Sequence, residues 1–161
     1  MKFSTSKTEL QQAFQKLSKA SPVRSTLPIL GCVLVASSDE KTIFRTTDLE
    51  LTIELEVPVS LEKAGSVAIP IRQLLDITNE LPETRISISA DDRNRVEIQT
   101  EMGTYDLMGK PADEFPATPE TNQTKELSLQ AKTLKNIIDT TLFAVSKDDL
   151  KPALTGVLFR F

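Results

Sequence analysis

The apolar residues of this chain repeat, and that repeat limits the folds open to it more than any single motif does. A short extended run followed by an amphipathic helical pattern occurs three times, over residues 2–17, 66–81 and 126–142. Adjacent apolar pairs mark the same point in each: Ala13-Phe14, Leu74-Leu75 and Ile137-Ile138. From 13 to 74 is 61 positions, and from 74 to 137 is 63. Only strand patterns lie between the first and second helices, and again between the second helix and a proline-rich stretch. The repeating unit is therefore a strand and a helix followed by about three strands. Two units are complete and a third has begun where the sequence stops. A fixed period of this kind is a fold-level signal, and two such units can pack their helices against one shared sheet core. The expected class is α+β.

Local signals place the elements. Ser6-Lys7-Thr8-Glu9 reads as a capping box ahead of Leu10, Ala13, Phe14 and Leu17, which follow with helical spacing. Pro22 marks a stop. The other face of this helix shows Gln12, Gln15, Lys16 and Lys19. Residues 29–35 form an apolar run suited to a buried strand, with Cys32 inside it as a small core residue. Over residues 48–57, Leu49, Leu51, Ile53, Leu55 and Val57 share one parity, and Asp48, Glu50, Thr52, Glu54 and Glu56 the other. Period two predicts a strand with every carboxylate on one face. Pro70 suits the first turn of a second helix, in which Arg72 and Asp76 stand at the spacing of a surface ion pair. Strands are expected over 85–90, 95–100 and 104–108, with a turn at Asp91-Asp92-Arg93-Asn94. Residues 109–126 hold Pro111, Pro116 and Pro119 and one large apolar residue, Phe115, and read as a linker. Beyond it, Leu127 and Leu129 suggest a strand, Leu134, Ile137, Ile138 and Leu142 a helix, and residues 154–161 another strand.

Composition closes several routes to chemistry. There is no His and one Cys among 161 residues, so the usual general base, the commonest metal ligand and any disulfide framework are missing. The single Cys is consistent with a reducing cytosol. The first six residues lack the apolar run of a signal peptide, and no apolar stretch reaches 18 residues. The five glycines form no phosphate-cradling loop, and no G-x-S-x-G elbow occurs. Net charge is −4, which by itself disfavours tight wrapping of nucleic acid. The charge is uneven, however. Residues 1–38 hold five bases and one acid, and the remainder holds 14 bases and 22 acids. A basic face on an acidic body is one outcome of such asymmetry; ordinary scatter of surface charge is the other.

Specific residues then point to a family. Met1-Lys2-Phe3, Thr26-Leu27-Pro28-Ile29-Leu30-Gly31, Thr47-Asp48-Leu49-Glu50, Ile69-Pro70, Glu114-Phe115-Pro116 and Lys151-Pro152-Ala153-Leu154-Thr155-Gly156-Val157, in this order, resemble the bacterial sliding clamps, the beta subunits of DNA polymerase III. The resemblance implies a DNA-clamp fold, each domain made of two strand–helix–strands units, with helices lining the DNA side and sheets outside. It implies a non-catalytic processivity factor: a homodimeric ring that encircles duplex DNA without regard to sequence, slides, and tethers the polymerase catalytic subunit, the clamp loader and other partners. No cofactor and no metal are implied, and the expected location is cytoplasmic. On this reading residues 1–118 are a complete first domain, 119–126 a linker and 127–161 the opening of a second. A third domain is absent, so the chain is expected to be a fragment unable to close a ring.

The resemblance also assigns roles. Arg24 stands where the family has a DNA-contacting arginine after the first helix, and Arg72 matches a basic position at the start of the second. Lys16 and Lys19 belong to the basic stripe that would face the hole. Lys147 and Lys151 fall in a loop, residues 146–153, that matches a DNA-contacting loop of the second domain, although ordinary solubilising charge explains them as well. Asp148, Asp149, Pro152 and Ala153 there depart from the polar and aromatic residues of some members. Tyr105 and Leu107 match the edge that meets the partner subunit, or else pack in the core. Leu154 matches one wall of the pocket that captures partner peptides. Two other readings remain open from the residues alone: a freestanding interaction module with a clamp-like fold, and an enzyme using Asp48 and Glu50, with or without a metal.

Overall fold

A computed structural model of the chain describes residues 1–38, 41–118, 128–148 and 150–160. The chain divides into two compact units, Met1–Pro119 and Glu120–Phe161. The first unit runs β1 (Lys2–Ser6), α1 (Lys7–Leu17), β2 (Cys32–Ser37), β3 (Thr42–Thr47), β4 (Thr52–Glu56), β5 (Ser60–Lys63), β6 (Gly65–Pro70), α2 (Ile71–Glu80), β7 (Arg85–Ala90), β8 (Arg95–Thr100) and β9 (Gly103–Met108). The expected repeat is present, with four strands after the first helix where about three were counted from sequence.

The strands form two antiparallel sheets rather than one. One has the order β5-β1-β7-β8-β9 and the other β4-β3-β2-β6. The strand that opens each repeat lies in the sheet of the other repeat. β1 pairs along its whole length with β7, from Lys2 opposite Ser89 to Ser6 opposite Arg85. β6 pairs with β2, from Cys32 opposite Pro70 to Ser37 opposite Gly65. Neither repeat can complete its sheet alone.

Both helices pack against a core fed by both sheets, which includes the fully buried Phe3, Phe14, Phe44, Ile69, Leu74 and Ile88. Phe44 of β3 joins the pieces. Its ring stacks on Phe14 of α1 (centroids 5.8 Å apart, planes 9° apart) and meets Phe3 of β1 at 6.0 Å. The end of α1 is fixed by Thr46, whose buried hydroxyl donates to the Leu17 carbonyl at 2.7 Å. Its start is half of the expected capping box. The Glu9 N–H donates to Ser6 Oγ at 3.2 Å, but among the described residues Glu9 makes no reciprocal bond. The second repeat completes the cap: the Lys7 N–H donates to the Thr84 carbonyl, and Glu83 accepts from the Thr8 N–H and hydroxyl.

Several expectations change. The run over residues 48–57 is not one strand. Residues 48–51 form a turn in which Asp48 Oδ1 accepts from the N–H groups of Glu50 and Leu51 and Leu49 adopts φ 81°, and only Thr52–Glu56 is strand. Leu49 and Leu51 are therefore exposed, because the turn breaks the alternation that would have carried them inward. Pro28–Gly31 is a 3-10 turn, so the strand begins at Cys32. The stretch read as a linker from residue 109 is packed as far as Phe115. Lys110 bridges to Ala68, and Phe115 is buried with Ile29, Leu30, Cys32 and Ala68 in a second, smaller apolar cluster. The turn after β7 forms as expected, with Asp91 Oδ1 accepting from the Arg93 and Arg95 N–H groups.

In the second unit α3 (Ala131–Thr141) forms, followed by 3-10 turns at Leu142–Ala144 and Pro152–Leu154. Leu127 and Phe161 lie outside the described residues. Leu129 is not in a strand, and residues 154–160 are not either. The physical reason is pairing. An extended segment becomes a strand only beside another, and the described part of this unit offers none.

Gly109 sits where the two sheets close on each other. A Cβ there would meet Val67 Cγ2 at 2.8 Å and the carbonyl oxygens of Ala68 and Asn94 at 3.0 Å. Gly109→Ala is expected to cost about 1–3 kcal/mol through this crowding. Phe44→Ala is expected to cost about 3–5 kcal/mol through the cavity it opens. Urea unfolding followed by circular dichroism measures both. A Gly109→Ala loss below about 0.5 kcal/mol would show that the contact relaxes freely.

Candidate nucleic-acid interface

The helix pair collects the basic residues singled out in the first unit. α1 and α2 lie side by side and run antiparallel. Gln11, in the first half of α1, donates from Nε2 to Oδ1 of Asn79 in the last turn of α2 at 2.9 Å, and Thr8 meets Glu83 just beyond α2. The start of α2 therefore lies beside the end of α1. Lys16 in the last turn of α1, Lys19 in the following 3-10 turn and Arg72 in the first turn of α2 share that end. Arg24 follows in the exposed loop after α1. All four side chains are exposed, and among the described residues none forms an ion pair. The expected Arg72–Asp76 pair does not form. By contrast, three bases on the sheets are matched by acids: Lys2 by Glu62 at 2.7 Å, Arg45 by Glu54 at 2.6 Å and Arg95 by Asp106 at 3.1 Å. Lys16, in the last turn of α1, is favoured by the helix dipole, whereas Arg72, in the first turn of α2, is opposed by it.

The other end of the helix pair is acidic. Glu9 stands in the first turn of α1, Glu80 ends α2 and Glu83 follows it, all exposed. The Gln11–Asn79 and Thr8–Glu83 contacts that set this polarity were not among the residues picked from sequence. They depend on which helix ends meet, and no local pattern in either helix carries that information.

In the second unit, Lys147 and Lys151 are exposed on a loop closed by the Ser146 N–H donating to the Leu154 carbonyl at 2.9 Å. Asp148 Oδ1 accepts from the Leu150 N–H inside it, and Asp149 lies outside the described residues. Leu154 is 56% exposed. β9, which carries Tyr105 and Leu107, is the outer strand of its sheet and, among the described residues, pairs on one side only, with β8. Tyr105 is 36% exposed, while Leu107 is half-buried against the core.

Of the two carboxylates of the enzyme reading, Asp48 holds its turn through Oδ1, which accepts from the Glu50 and Leu51 N–H groups, and the Glu50 side chain is exposed. Among the described residues no group of three or more His, Cys, Asp or Glu side chains is placed to hold a metal ion. No helix among them is long and apolar enough to cross a membrane. Cys32 is 2% exposed, and burial pushes its thiol above its ordinary value of 9.0, against a smaller opposing pull from Lys110.

This architecture of two interlocked sheets and a helix pair is that of the bacterial sliding clamps. The clamp from Bacillus subtilis superposes with a TM-score of 0.87 at 29% identity, covering 94% of this chain and 42% of that one. The DNA polymerase III subunit beta from Pseudomonas aeruginosa gives 0.86 at 28%, covering 97% of this chain and 43% of that one. The family model for the DNA polymerase III beta subunit, N-terminal domain, matches residues 1–119. The chain belongs to this family. In sequence it is 31% identical to the beta sliding clamp of Bacillus subtilis, over 98% of this chain and 44% of that protein. It is 30% identical to that of Chlamydia muridarum, over 98% and 43%. The chain thus spans a little over two fifths of the length of these relatives.

The raised Cys32 pKa predicts an inert thiol. Because the folded value lies above the unfolded one, its contribution to stability is complete below pH 9.0 and is lost as pH rises through that range. In native protein at pH 8, labelling by an aromatic disulfide reagent should follow unfolding rather than reagent concentration, and become rapid in urea. Fast native labelling would contradict the burial.

Proposed function

We propose that this chain serves as part of a sliding clamp, a non-catalytic processivity factor that holds a replicative polymerase on duplex DNA. The observation that carries this reading is the cluster of unpaired cations at one end of the α1–α2 pair, in a chain of this family. Lys16, Lys19, Arg24 and Arg72 meet phosphates in the first unit, and Lys147 and Lys151 do so in the second. Such contacts give salt-dependent attraction without reading bases, which a protein that slides requires. The open edge of β9, with Tyr105 at its surface, serves as the face toward a second subunit in a homodimeric ring. Leu154 serves as one wall of a pocket for peptides of the polymerase catalytic subunit and the clamp loader. Residues 1–118 act as one complete clamp domain, 119–126 as a linker and 127–161 as the opening of a second domain. The protein works in the cytoplasm and needs no cofactor.

A clamp-like interaction module without DNA is the competing reading, and charge reversal separates the two. Fluorescence anisotropy with a labelled 30-base-pair duplex at low salt is the measurement. Arg24→Glu combined with Arg72→Glu is expected to weaken binding by about tenfold or more and to lower the log–log salt slope by about 2. An interaction module would bind, or fail to bind, the duplex equally with and without the substitutions.

A further inference from the structure

The two ends of the α1–α2 face carry opposite charge, and the duplex reading above uses only one of them. At the far end Glu80 and Glu83 are exposed near the Gln11–Asn79 bond, with Asp76 one turn before Glu80, and Glu9 is exposed on the flank of α1 that faces Pro58, Ser60 and Arg85. Two bases stand near that end and keep their charge, Lys7, whose Nζ donates to Gln11 Oε1 at 2.8 Å, and Arg85, which donates to the hydroxyls of Ser4 and Ser60, so the four acids leave that end net negative by about two charges. Glu9 and Glu80 make no ion pair among the described residues. A ten-residue helix is about 15 Å long. That exceeds the Debye length of about 8 Å at physiological ionic strength. A phosphate over one end therefore responds to the charges of that end and hardly to those of the other.

We propose that the acidic end of the helix pair, through Glu9 and Glu80, is a repulsive element that confines the duplex to the basic end and keeps the attraction weak. This rests on the duplex-binding reading. Without the acids, phosphates could settle along the whole face and more of the backbone would be held. With them, only Lys16, Lys19, Arg24 and Arg72 grip, and the rest of the face keeps the strand off.

The test removes the acids without adding bases. In water, a unit charge about 10 Å from a phosphate changes binding by about a factor of two. Glu9→Gln with Glu80→Gln should then, after screening, tighten duplex binding by about twofold, measured by anisotropy at roughly 20 mM salt, where the Debye length is about 20 Å. Glu83 is left alone because it caps α1. Asp92→Asn with Glu97→Gln makes the same change in net charge away from the helices, in a turn and on the outward face of β8, and should leave affinity unchanged. Melting by circular dichroism confirms that each variant is folded. The proposal is overturned if Glu9→Gln/Glu80→Gln leaves affinity unchanged, or if Asp92→Asn/Glu97→Gln tightens it equally. A third variant, Lys16→Glu with Arg72→Glu, separates the two levels of argument. If it fails to weaken binding, the duplex reading itself falls and takes this proposal with it. If it weakens binding while the acid variant has no effect, only this proposal falls.

Discussion

The pairing of β1 with β7 and of β6 with β2 is the contact on which the first unit depends. Each opening strand completes the other repeat's sheet, although β1 also pairs with β5 of its own repeat. The backbone groups of a strand must be paired somewhere, and here they are fully paired only when both repeats are folded. Two units of about sixty residues, each too small to bury much surface alone, are thereby made into one cooperative body. The apolar faces of both sheets then meet over a single core in which Phe44 touches Phe3 from β1 and Phe14 from α1.

The same exchange aims the helices. Ser6 ends β1 and caps α1, and Pro70 ends β6 and stands at the N-cap of α2. With no loop between strand and helix, the direction of each strand sets the direction of its helix. The related placement of β1 and β6 makes α1 and α2 antiparallel neighbours, and that brings Arg72 to the end of α1 where Lys16 and Lys19 stand. A basic cluster assembled from two distant stretches of sequence is thus a product of strand pairing. Thr8, Glu83 and the Thr84 carbonyl then fix the opposite end, so the cap of the first helix depends on the chain that follows the second.

What could be read in the residues follows this division between local and long-range causes. α1, α2, β7 and β8 are bounded within one or two residues because their signals are local: apolar periodicity, a cap at Ser6, an Asx turn at Asp91. The turn at residues 48–51 was hidden because its leucines continue the alternation of a strand, while Asp48, able to bind two backbone N–H groups at once, ends it. Phe115 was assigned to a linker because its partners, Ile29, Leu30, Cys32 and Ala68, lie far away in the chain. The cations were legible one by one. Their gathering at one end, and the acids facing them from the other, required knowing that the helices are antiparallel.

An overall charge of −4 disfavours a nucleic-acid partner, but on the proposed reading the arrangement of charge counts for more than its sum. On the sheets, Arg45, Arg95 and Lys2 are matched by carboxylates and contribute little field beyond a Debye length. At the helix ends the bases are unmatched, so their field reaches solvent. A tightly binding protein would multiply such bases across the face, and each added phosphate contact would make release slower. A protein that must move along a duplex gains nothing from that. On the proposed reading, a few free cations at one end of a face, with acids at the other, would attract the backbone while leaving it free to exchange one phosphate for the next.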